Sequence, residues 1–367
     1  MEYVNLLSYF EIMNINQLLG YRLRAQGLVK TSFTTPGEVV EWMGAVQAQD
    51  YLGALWSVGQ RMKKSVEADI EKAIAGKTIV RTWPMRGTLH FVAPGDIRWM
   101  LKYLAPRVFA RMAGMLRKAD VDEKVLTKST RLWVRALEGG NRLTRDELYS
   151  CLEKAKIQTS GTRGLHILGC IAQRGVICFG PRKGKQQTFV LLDEWLPSFP
   201  VPEREEALAE LAIRYFNSHG PATADDLMWW AGLTKADALR SIQIAGPGIV
   251  EAKVNNKSYW LSMDAKPARS VSGTWLLPTY DEYGIAYKDR SAVISSDDYR
   301  KAGGFYSSAI VNDGKVIGLW RRTINKDRIQ IDVRPFDKFT KAQREGIEAA
   351  GERYGKFAGK GWSVEVV

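Results

Sequence analysis

The sequence predicts an α+β fold in which three winged-helix units in tandem are followed by a small β domain. Two observations indicate this arrangement. Helical segments followed by a short β ribbon occur three times between residue 13 and about residue 262. After Ala265 the segments become strand-like, and Asp313 and Gly314 give a strong hairpin signal. We therefore expect domains at 13–120, 121–200, 201–265 and 266–367.

The first unit is predicted to contain three helices and one ribbon. Apolar spacing indicates a helix over residues 15–27, and a second helix begins at Pro36, because proline is favoured in the first helical turn. We expect this second helix to end near Gln47. A third helix over 65–75 leads into IVRTWPMRGTLHFV, whose β-branched and aromatic residues are typical of strands.

The other two units repeat this order of elements. In the second, helices over 143–155 and 162–175 precede two strands around a basic turn at 180–184. In the third, three helices over 205–245 precede a ribbon whose turn is Asn255–Asn256. Both patterns are typical of a winged helix.

The segments of the β domain are short and strand-like. TWLLPTYDEY, FYSSAIVNDGKVIGLWRRTI and DRIQIDVRPF are rich in β-branched and aromatic residues. One helix is expected over 341–357, and WSVEVV at the end of the sequence is expected to form the last strand.

Composition favours a folded protein with a polyanionic partner. Among 367 residues, 53 Lys and Arg outnumber 40 Asp and Glu, and the formal charge of +13 favours nucleic acid or an anionic membrane surface. Three scattered cysteines without a CxxC spacing fit a reducing cytosol. No apolar run approaches the roughly 18 residues of a membrane span, so we expect a soluble protein. Residues 1–12 lack a secretory pattern and are expected to be a leader or an added segment.

Common enzyme signatures are missing from the sequence. It has no GxxxxGK, HExxH or GxSxG, and its three histidines are widely separated. Pairs of adjacent acids remain candidates for the metal site of a nuclease. Neighbouring carboxylates on a helix, however, point about 100° apart, and acids at helix starts stabilise the dipole. The pairs are Asp225/Asp226, Asp281/Glu282 and Asp297/Asp298.

The segment AVQAQDYLGALWSVGQR carries two glutamines, Gln47 and Gln49, two residues apart. On a helix their amides would diverge by about 200°, whereas an extended backbone would project both to one side. Two cooperating amides therefore require the helix to end before them. From the residues alone, ordinary polar positions at a helix terminus are the simpler explanation. Trp56, further along the segment, is expected to fill the first core rather than to stack on a base.

Three segments together resemble a known family. QAQDYLGALWSVGQR, RTWPMRGTLHFVAP and LLPTYDEYGIAYKDR are similar, in this order, to landmarks of the AlkZ/YcaQ family of winged-helix DNA glycosylases. The resemblance implies three tandem winged helices and a C-terminal β-barrel in a C-shaped arrangement. It also implies that Gln47 and Gln49 are catalytic, as in the Gln-x-Gln branch. The middle residue, Ala48, is smaller than the apolar residue usual there.

The chemistry of a glutamine pair fits the implied activity. Hydrolysis of an N-glycosidic bond passes through an oxocarbenium-like state, which most such enzymes stabilise with a carboxylate. A neutral amide can orient a water but cannot take its proton outright. The leaving base must therefore be activated already, as a cationic N7-alkylguanine or N3-alkyladenine is. Asp50, next to the pair, is either a hidden carboxylate base or, more simply, a helix-end residue.

Basic side chains are the candidates for DNA contact. A strand starting at Met85 would place Arg86, Thr88 and His90 on one face, and the resemblance favours Arg86 and His90 as residues that face DNA. The second ribbon offers a basic turn of the kind that follows a phosphate backbone, and the resemblance implicates a hairpin of the barrel. The full set is Arg81, Arg86, His90, Arg182, Lys183, Lys185, Lys288, Arg290, Arg321 and Arg322.

The sequence thus predicts a monofunctional DNA glycosylase that acts on alkylated bases in double-stranded DNA. No metal or other cofactor and no membrane are implied, and we expect a monomer in the cytoplasm, associated with the nucleoid. Two alternatives remain. A non-catalytic winged-helix DNA-binding protein or regulator would bind DNA without forming abasic sites, and a metal-dependent nuclease would cut strands until chelator is added.

Overall fold

A computed structural model describes residues 13–267, 271–303 and 307–367, and the predicted leader at 1–12 lies outside these residues. The described residues form fifteen α-helices, of which the longest has 22 residues. No described helix is long and apolar enough to cross a membrane. In chain order the helices are α1 (Ile15–Ala25), α2 (Pro36–Met43), α3 (Tyr51–Gly59), α4 (Glu67–Ala75), α5 (Ile97–Lys118), α6 (Glu123–Leu137), α7 (Arg145–Lys154), α8 (Arg163–Gln173), α9 (Leu192–Trp195), α10 (Arg204–His219), α11 (Ala224–Ala231), α12 (Lys235–Ile244), α13 (Glu282–Ile285), α14 (Ser296–Lys301) and α15 (Lys341–Ala358).

Local sequence signals explain many of these helix starts. At α2, Thr35 accepts a hydrogen bond from the backbone N–H of Glu38, whose side chain bonds back to the Thr35 backbone. This reciprocal capping box satisfies donors that the first helical turn leaves free. The same arrangement starts α7, α11 and α15.

The strands of the described residues form three sheets and one separate ribbon. Short turns connect several of the antiparallel strands. At Asp313–Gly314, for example, both backbone φ angles are positive, as a two-residue hairpin turn requires. The strands are β1 (Val46–Gln47), β2 (Val80–Met85), β3 (Thr88–Val92), β4 (Leu143–Thr144), β5 (Ile177–Lys183), β6 (Gln186–Leu191), β7 (Ile249–Val254), β8 (Lys257–Ser262), β9 (Thr274–Leu277), β10 (Ala309–Asn312), β11 (Lys315–Ile324), β12 (Arg328–Pro335) and β13 (Gly361–Val366).

The chain divides into two compact units. One unit contains the described residues of Met1–Val46, Asp50–Ile70 and Leu208–Val367, and the other contains Gln47–Gln49 and Glu71–Ala207. We call them the outer-segment unit and the central unit, after the parts of the sequence that supply most of each. The predicted boundaries at residues 120, 200 and 265 do not coincide with this division and stay predictions.

The central unit contains two small sheets. In one, β3 lies between β1 and β2, and in the other β6 lies between β4 and β5. Its core joins the β2–β3 hairpin to helices α6 to α8, through buried residues such as Trp83, Trp133 and Phe189. The two helices predicted at 143–155 and 162–175 correspond to α7 and α8, whereas α5 and α6 had no counterpart in the prediction.

The outer-segment unit contains the five-stranded sheet, in the order β13–β12–β11–β10–β9. All its neighbours are antiparallel except β12 and β13, which are parallel. Among the described strands the order ends at β9 and β13, and the sheet is a curled half-barrel where the resemblance implied a β-barrel. The β7–β8 ribbon turns at Asn255 and Asn256, as predicted.

Candidate active site

The backbone around Gln47 and Gln49 is extended rather than helical. The expectation that the second helix ends near Gln47 is wrong, because α2 ends at Met43. Gly44 follows with φ of 71° and ψ of −42°, a positive φ that glycine adopts easily. The chain then enters β1, which includes Gln47. The early end of α2 supplies the extended backbone that two cooperating amides require.

Each glutamine oxygen accepts a hydrogen bond from the β2–β3 hairpin. Gln47 is 8% exposed, and its Oε1 accepts from Arg86 Nη2 at 2.9 Å. Gln49 is exposed, and its Oε1 accepts from the backbone N–H of Leu89 at 3.1 Å. Between them, the N–H of Ala48 donates to the carbonyl of Leu89 at 2.7 Å. One hairpin therefore orients both side chains.

Arg86 lies at the tip of that hairpin. Met85 pairs with Thr88, which leaves Arg86 and Gly87 as a two-residue loop with φ of 57° and 78°. Positive φ at both loop positions matches the twist of the flanking strands. The prediction of a strand through Arg86 is therefore wrong. The loop geometry turns its guanidinium toward Gln47 instead of setting it in a strand face.

His90 contacts the same guanidinium nitrogen of Arg86 that donates to Gln47. It is fully buried, its Nδ1 lies 3.0 Å from the carbonyl oxygen of Thr88, and its Nε2 lies 3.1 Å from Arg86 Nη2. A carbonyl only accepts and a guanidinium only donates. Both contacts fit a neutral imidazole with its proton on Nδ1. Arg86 Nη2 thus has one hydrogen for His90 and one for Gln47.

The carbonyl of Ala48 is held by a buried arginine. Arg81 is 5% exposed, and its Nε and Nη2 donate to that oxygen at 3.0 and 2.7 Å. Its Nη1 donates to Gln187 Oε1 at 3.3 Å, and the guanidinium lies 4.5 Å from the ring centre of Phe179. Sequence reasoning missed Gln187, since no local signal connects two residues 106 positions apart. The predicted DNA contact of Arg81 stays a prediction.

Asp50 starts α3, but its carboxylate does not cap that helix. Both oxygens accept from Arg322 Nη2, at 3.1 and 2.8 Å, within the outer-segment unit. The helix-end position matches the simpler of the two predicted roles. The partner on β11, 272 residues away, could not be read from local sequence.

The other predicted DNA-binding residues lie on both units, and most have an acidic neighbour. In the central unit, Arg182 pairs with Glu71, Lys183 lies 3.6 Å from Glu147, and Lys185 is exposed. The basic turn was placed at 180–184, but β5 continues through Lys183, so the turn begins at Gly184. The strand extends because Lys183 pairs with Gln186 in the ladder.

In the outer-segment unit, Lys288 Nζ lies 3.0 Å from Asp225, and both side chains are half exposed. Arg290 donates to the Gly284 carbonyl at 2.9 Å. Arg321 is 78% exposed and lies 3.3 Å from Asp332. An ion pair as exposed as Lys288–Asp225 contributes little to stability.

The first and third sequence landmarks meet inside the outer-segment unit. Arg61, at the end of the first landmark, donates to both oxygens of Asp281 in the third at 2.8 Å. Both side chains are buried. Trp56 is 4% exposed and donates to the Leu276 carbonyl at 2.7 Å, so its predicted place in a core is confirmed. These residues are structural parts of the landmarks.

The acidic pairs considered for a nuclease are engaged by the protein. Asp226 caps α11 and accepts from the backbone of Lys288, and Asp281 caps α13. Asp297 and Asp298 lie in the first turn of α14. Among the described residues, no group of three or more His, Cys, Asp or Glu side chains is arranged to hold a metal ion.

Comparisons with known proteins define the class of protein. A family model described as DNA glycosylase AlkZ-like matches residues 40–357. The chain therefore belongs to the AlkZ-like DNA glycosylase family, as its resemblance predicted, and is an enzyme that hydrolyses N-glycosyl bonds.

Two relatives come from Streptomyces sahachiroi. The chain is 27% identical over 322 residues to a protein named interstrand DNA cross-link repair glycosylase, covering 83% of this chain and 86% of that protein. It also resembles the solved structure of DNA glycosylase AlkZ, with a TM-score of 0.78, 23% identity, and coverage of 97% of this chain and 100% of the other. The second comparison supports the mixed α and β fold.

Proposed function

We propose that this protein releases cationic alkylated purines, of the N7-alkylguanine and N3-alkyladenine class, from double-stranded DNA. In this proposal Gln47 and Gln49 position the attacking water. One observation carries it: donors of the β2–β3 hairpin hold both amide oxygens, at 2.9 and 3.1 Å. An amide oxygen has two lone pairs and is a suitable acceptor for a hydrogen of water.

The hairpin contacts favour orientation of the water over removal of its proton. Arg86 withdraws electron density from the Gln47 oxygen through a charge-assisted hydrogen bond. This makes an already weak acceptor weaker, so general-base catalysis by the amide is disfavoured. What the oxygens offer is a fixed partial negative charge beside the developing oxocarbenium ion.

The substrate must compensate for the missing acid and base. An alkylated purine with a positive charge departs as a neutral base and needs no general acid. Uracil and unmodified purines would depart as anions unless protonated, so we expect them to stay bound to the sugar. A cross-link attached through a purine N7 carries the same charge. The relative named for interstrand cross-link repair is therefore compatible with this chemistry.

Several further parts of the proposal concern how DNA is held. We propose that the three groups of helices and ribbons act as winged helices and that the predicted basic residues contact phosphates. Each phosphate contact should steepen log K against log salt by about 0.9. We also propose that the enzyme acts as a monomer, without a metal, on nucleoid DNA in the cytoplasm.

The test uses a duplex with a single 7-methylguanine, treated with mild alkali after incubation to reveal abasic sites. We expect release with and without EDTA, and none from a matched uracil duplex. Gln47→Ala and Gln49→Ala should each cost roughly 3 kcal/mol, on the order of 10² in rate. The control is Gln158→Ala, which removes an exposed glutamine of the central unit.

The outcomes separate the proposal from its alternatives. Binding without abasic sites would indicate a regulator, and strand cleavage abolished by EDTA would indicate a nuclease. Equal release of uracil and 7-methylguanine would contradict the argument from leaving-group charge. Full activity in both alanine variants would place catalysis away from the two glutamines.

A further inference from the structure

A cavity of about 360 Å³ lies in the central unit and shares residues with the support of the glutamine motif. Half of its twelve lining residues are apolar, and the other half are polar or charged. The polar and charged residues are Arg81, Thr144, Arg145, Asp146, Gln186 and Gln187. The apolar lining consists of Trp83, Leu89, Leu165, Leu168, Phe179 and Phe189.

Two lining residues connect this cavity directly to the motif. The side chain of Leu89 lines the cavity, while its backbone N–H bonds to Gln49 and its carbonyl accepts from Ala48. Arg81 also lines it and holds the carbonyl of Ala48 at 2.7 Å. A group inside the cavity would therefore contact a residue, Leu89, that is itself hydrogen-bonded to Gln49.

The wall is suited to a flat apolar group. The rings of Phe179 and Phe189 have centroids 4.5 Å apart, and Trp83 lies 5.2 Å from Phe179. Leu165 is 50% exposed, so an apolar surface is available to solvent at this cavity. The volume falls at the lower end of the range for small-molecule sites, roughly 300–1,000 Å³.

Charge decides which part of a damaged nucleotide fits. Arg145 and Asp146 line the cavity with opposite charges and are 62% and 75% exposed, so the buried Arg81 supplies the net positive charge of the lining. This charge disfavours a cationic purine, because like charges in a poorly solvated site repel each other. A neutral hydrocarbon attached to the purine meets no such penalty, and an aromatic one gains contacts with the rings and the guanidinium.

We propose that this cavity is a subsite for the apolar, preferably aromatic, substituent that the alkylated purine carries, and that Leu165 helps to determine which substituents enter. The inference rests on the proposed function and adds to it a site for the damaging group. In this proposal the substituent occupies the cavity and the purine ring stays outside it.

The experiment compares two lesions that leave by the same chemistry. Duplexes carry a single 7-methylguanine or a single 7-benzylguanine, and kcat/KM is measured for release of each. Leu165→Trp and Gln186→Trp each fill the cavity from a side chain that is exposed in the folded protein. We expect both variants to lower the benzyl-to-methyl ratio of kcat/KM by about tenfold, the effect of denying space to an apolar group.

Matched controls introduce the same tryptophan elsewhere. Leu239→Trp replaces a leucine that is 47% exposed on α12, and Gln158→Trp replaces an exposed glutamine. Both should keep the wild-type ratio. The inference is overturned if the wild type releases 7-methylguanine but not 7-benzylguanine, or if both cavity variants stay within about twofold of the wild-type ratio. A wild type that releases neither base contradicts the proposed function instead, and the methyl substrate alone reveals this.

Discussion

Replacement of Arg86 by methionine separates two roles for this residue. The sequence favoured Arg86 as a residue facing DNA, whereas the structure places its Nη2 2.9 Å from Gln47 and 3.1 Å from His90. A phosphate ligand would affect the salt dependence of binding. A residue that orients Gln47 would affect the rate at saturating enzyme.

The magnitude follows from the two contacts that methionine removes. A hydrogen bond to a charged group contributes about 1.5–3 kcal/mol, and complete loss of a transition-state contact costs about 3 kcal/mol. We therefore expect the maximal rate of 7-methylguanine release to fall between about 10- and 100-fold. If Arg86 only orients Gln47, the slope of log K against log salt is unchanged.

The assay is single-turnover release at several salt concentrations, with thermal unfolding as a check on the fold. Arg86→Lys retains the positive charge but not the planar guanidinium with its paired donors. This variant should keep the salt dependence of DNA binding and still release 7-methylguanine more slowly. His90→Leu removes the acceptor behind Arg86, and the double variant should be little slower than Arg86→Met alone, since the two side chains act through one contact. Arg300→Met, at an exposed pair on α14, is the control for loss of an arginine.

One result would refute this reasoning. If Arg86→Met released 7-methylguanine at the wild-type maximal rate while the salt slope fell by about 0.9, Arg86 would be a phosphate ligand and not a support for Gln47.

Three further predictions concern stability and reactivity. Asp50→Asn and Arg322→Met should each lower the free energy of unfolding by about 1 kcal/mol, measured by denaturant unfolding. The double variant should lose less than the sum of the two single effects. Strict additivity of the two effects would contradict a direct pair. At pH 8 a thiol reagent should label Cys151 and spare the other two cysteines, whose pKa values burial raises to about 11 and about 12; mass spectrometry showing three labels in native protein would contradict this. Burial lowers the pKa of His219 in the folded protein. As the pH falls, the unfolded chain therefore protonates this histidine at a higher pH than the folded chain does. The free energy of unfolding should then fall by up to about 1.4 kcal/mol per pH unit below about pH 6.5, and His219→Gln should flatten that dependence in unfolding titrations.

Local signals predicted the elements that depend on neighbouring residues. The capping box of Thr35 and Glu38 fixes the start of α2, and the pair Asp313–Gly314 fixes the β10–β11 turn. The tip of the β2–β3 hairpin was missed because Arg86–Gly87 differs from the usual Asn-Gly or Asp-Gly turn. A strand periodicity extended across it therefore put Arg86 in a strand.

Contacts between distant residues could not be predicted in this way. Arg81 and Ala48 are 33 residues apart, and neither position carries a signal for the other. The closure of the last sheet also depends on distant pairing, since β13 adds in parallel to β12 and not to β9. The sequence singled out the glutamine pair through a resemblance and named Arg81, Arg86 and His90 only as candidates for DNA contact, not as the side chains that hold the motif.

Those orienting side chains matter because the chemistry of an amide is weak. In the proposed function neither Gln47 nor Gln49 removes a proton from water, so each would contribute mainly through its position, and a displacement of about 1 Å can cost on the order of 10² in rate. The residue between them illustrates the requirement. Ala48 is fully buried, its N–H donates to Leu89, and its carbonyl accepts two hydrogen bonds from Arg81. Both of its backbone groups are therefore fixed, and the two flanking amides are held from the backbone as well as from their own oxygens.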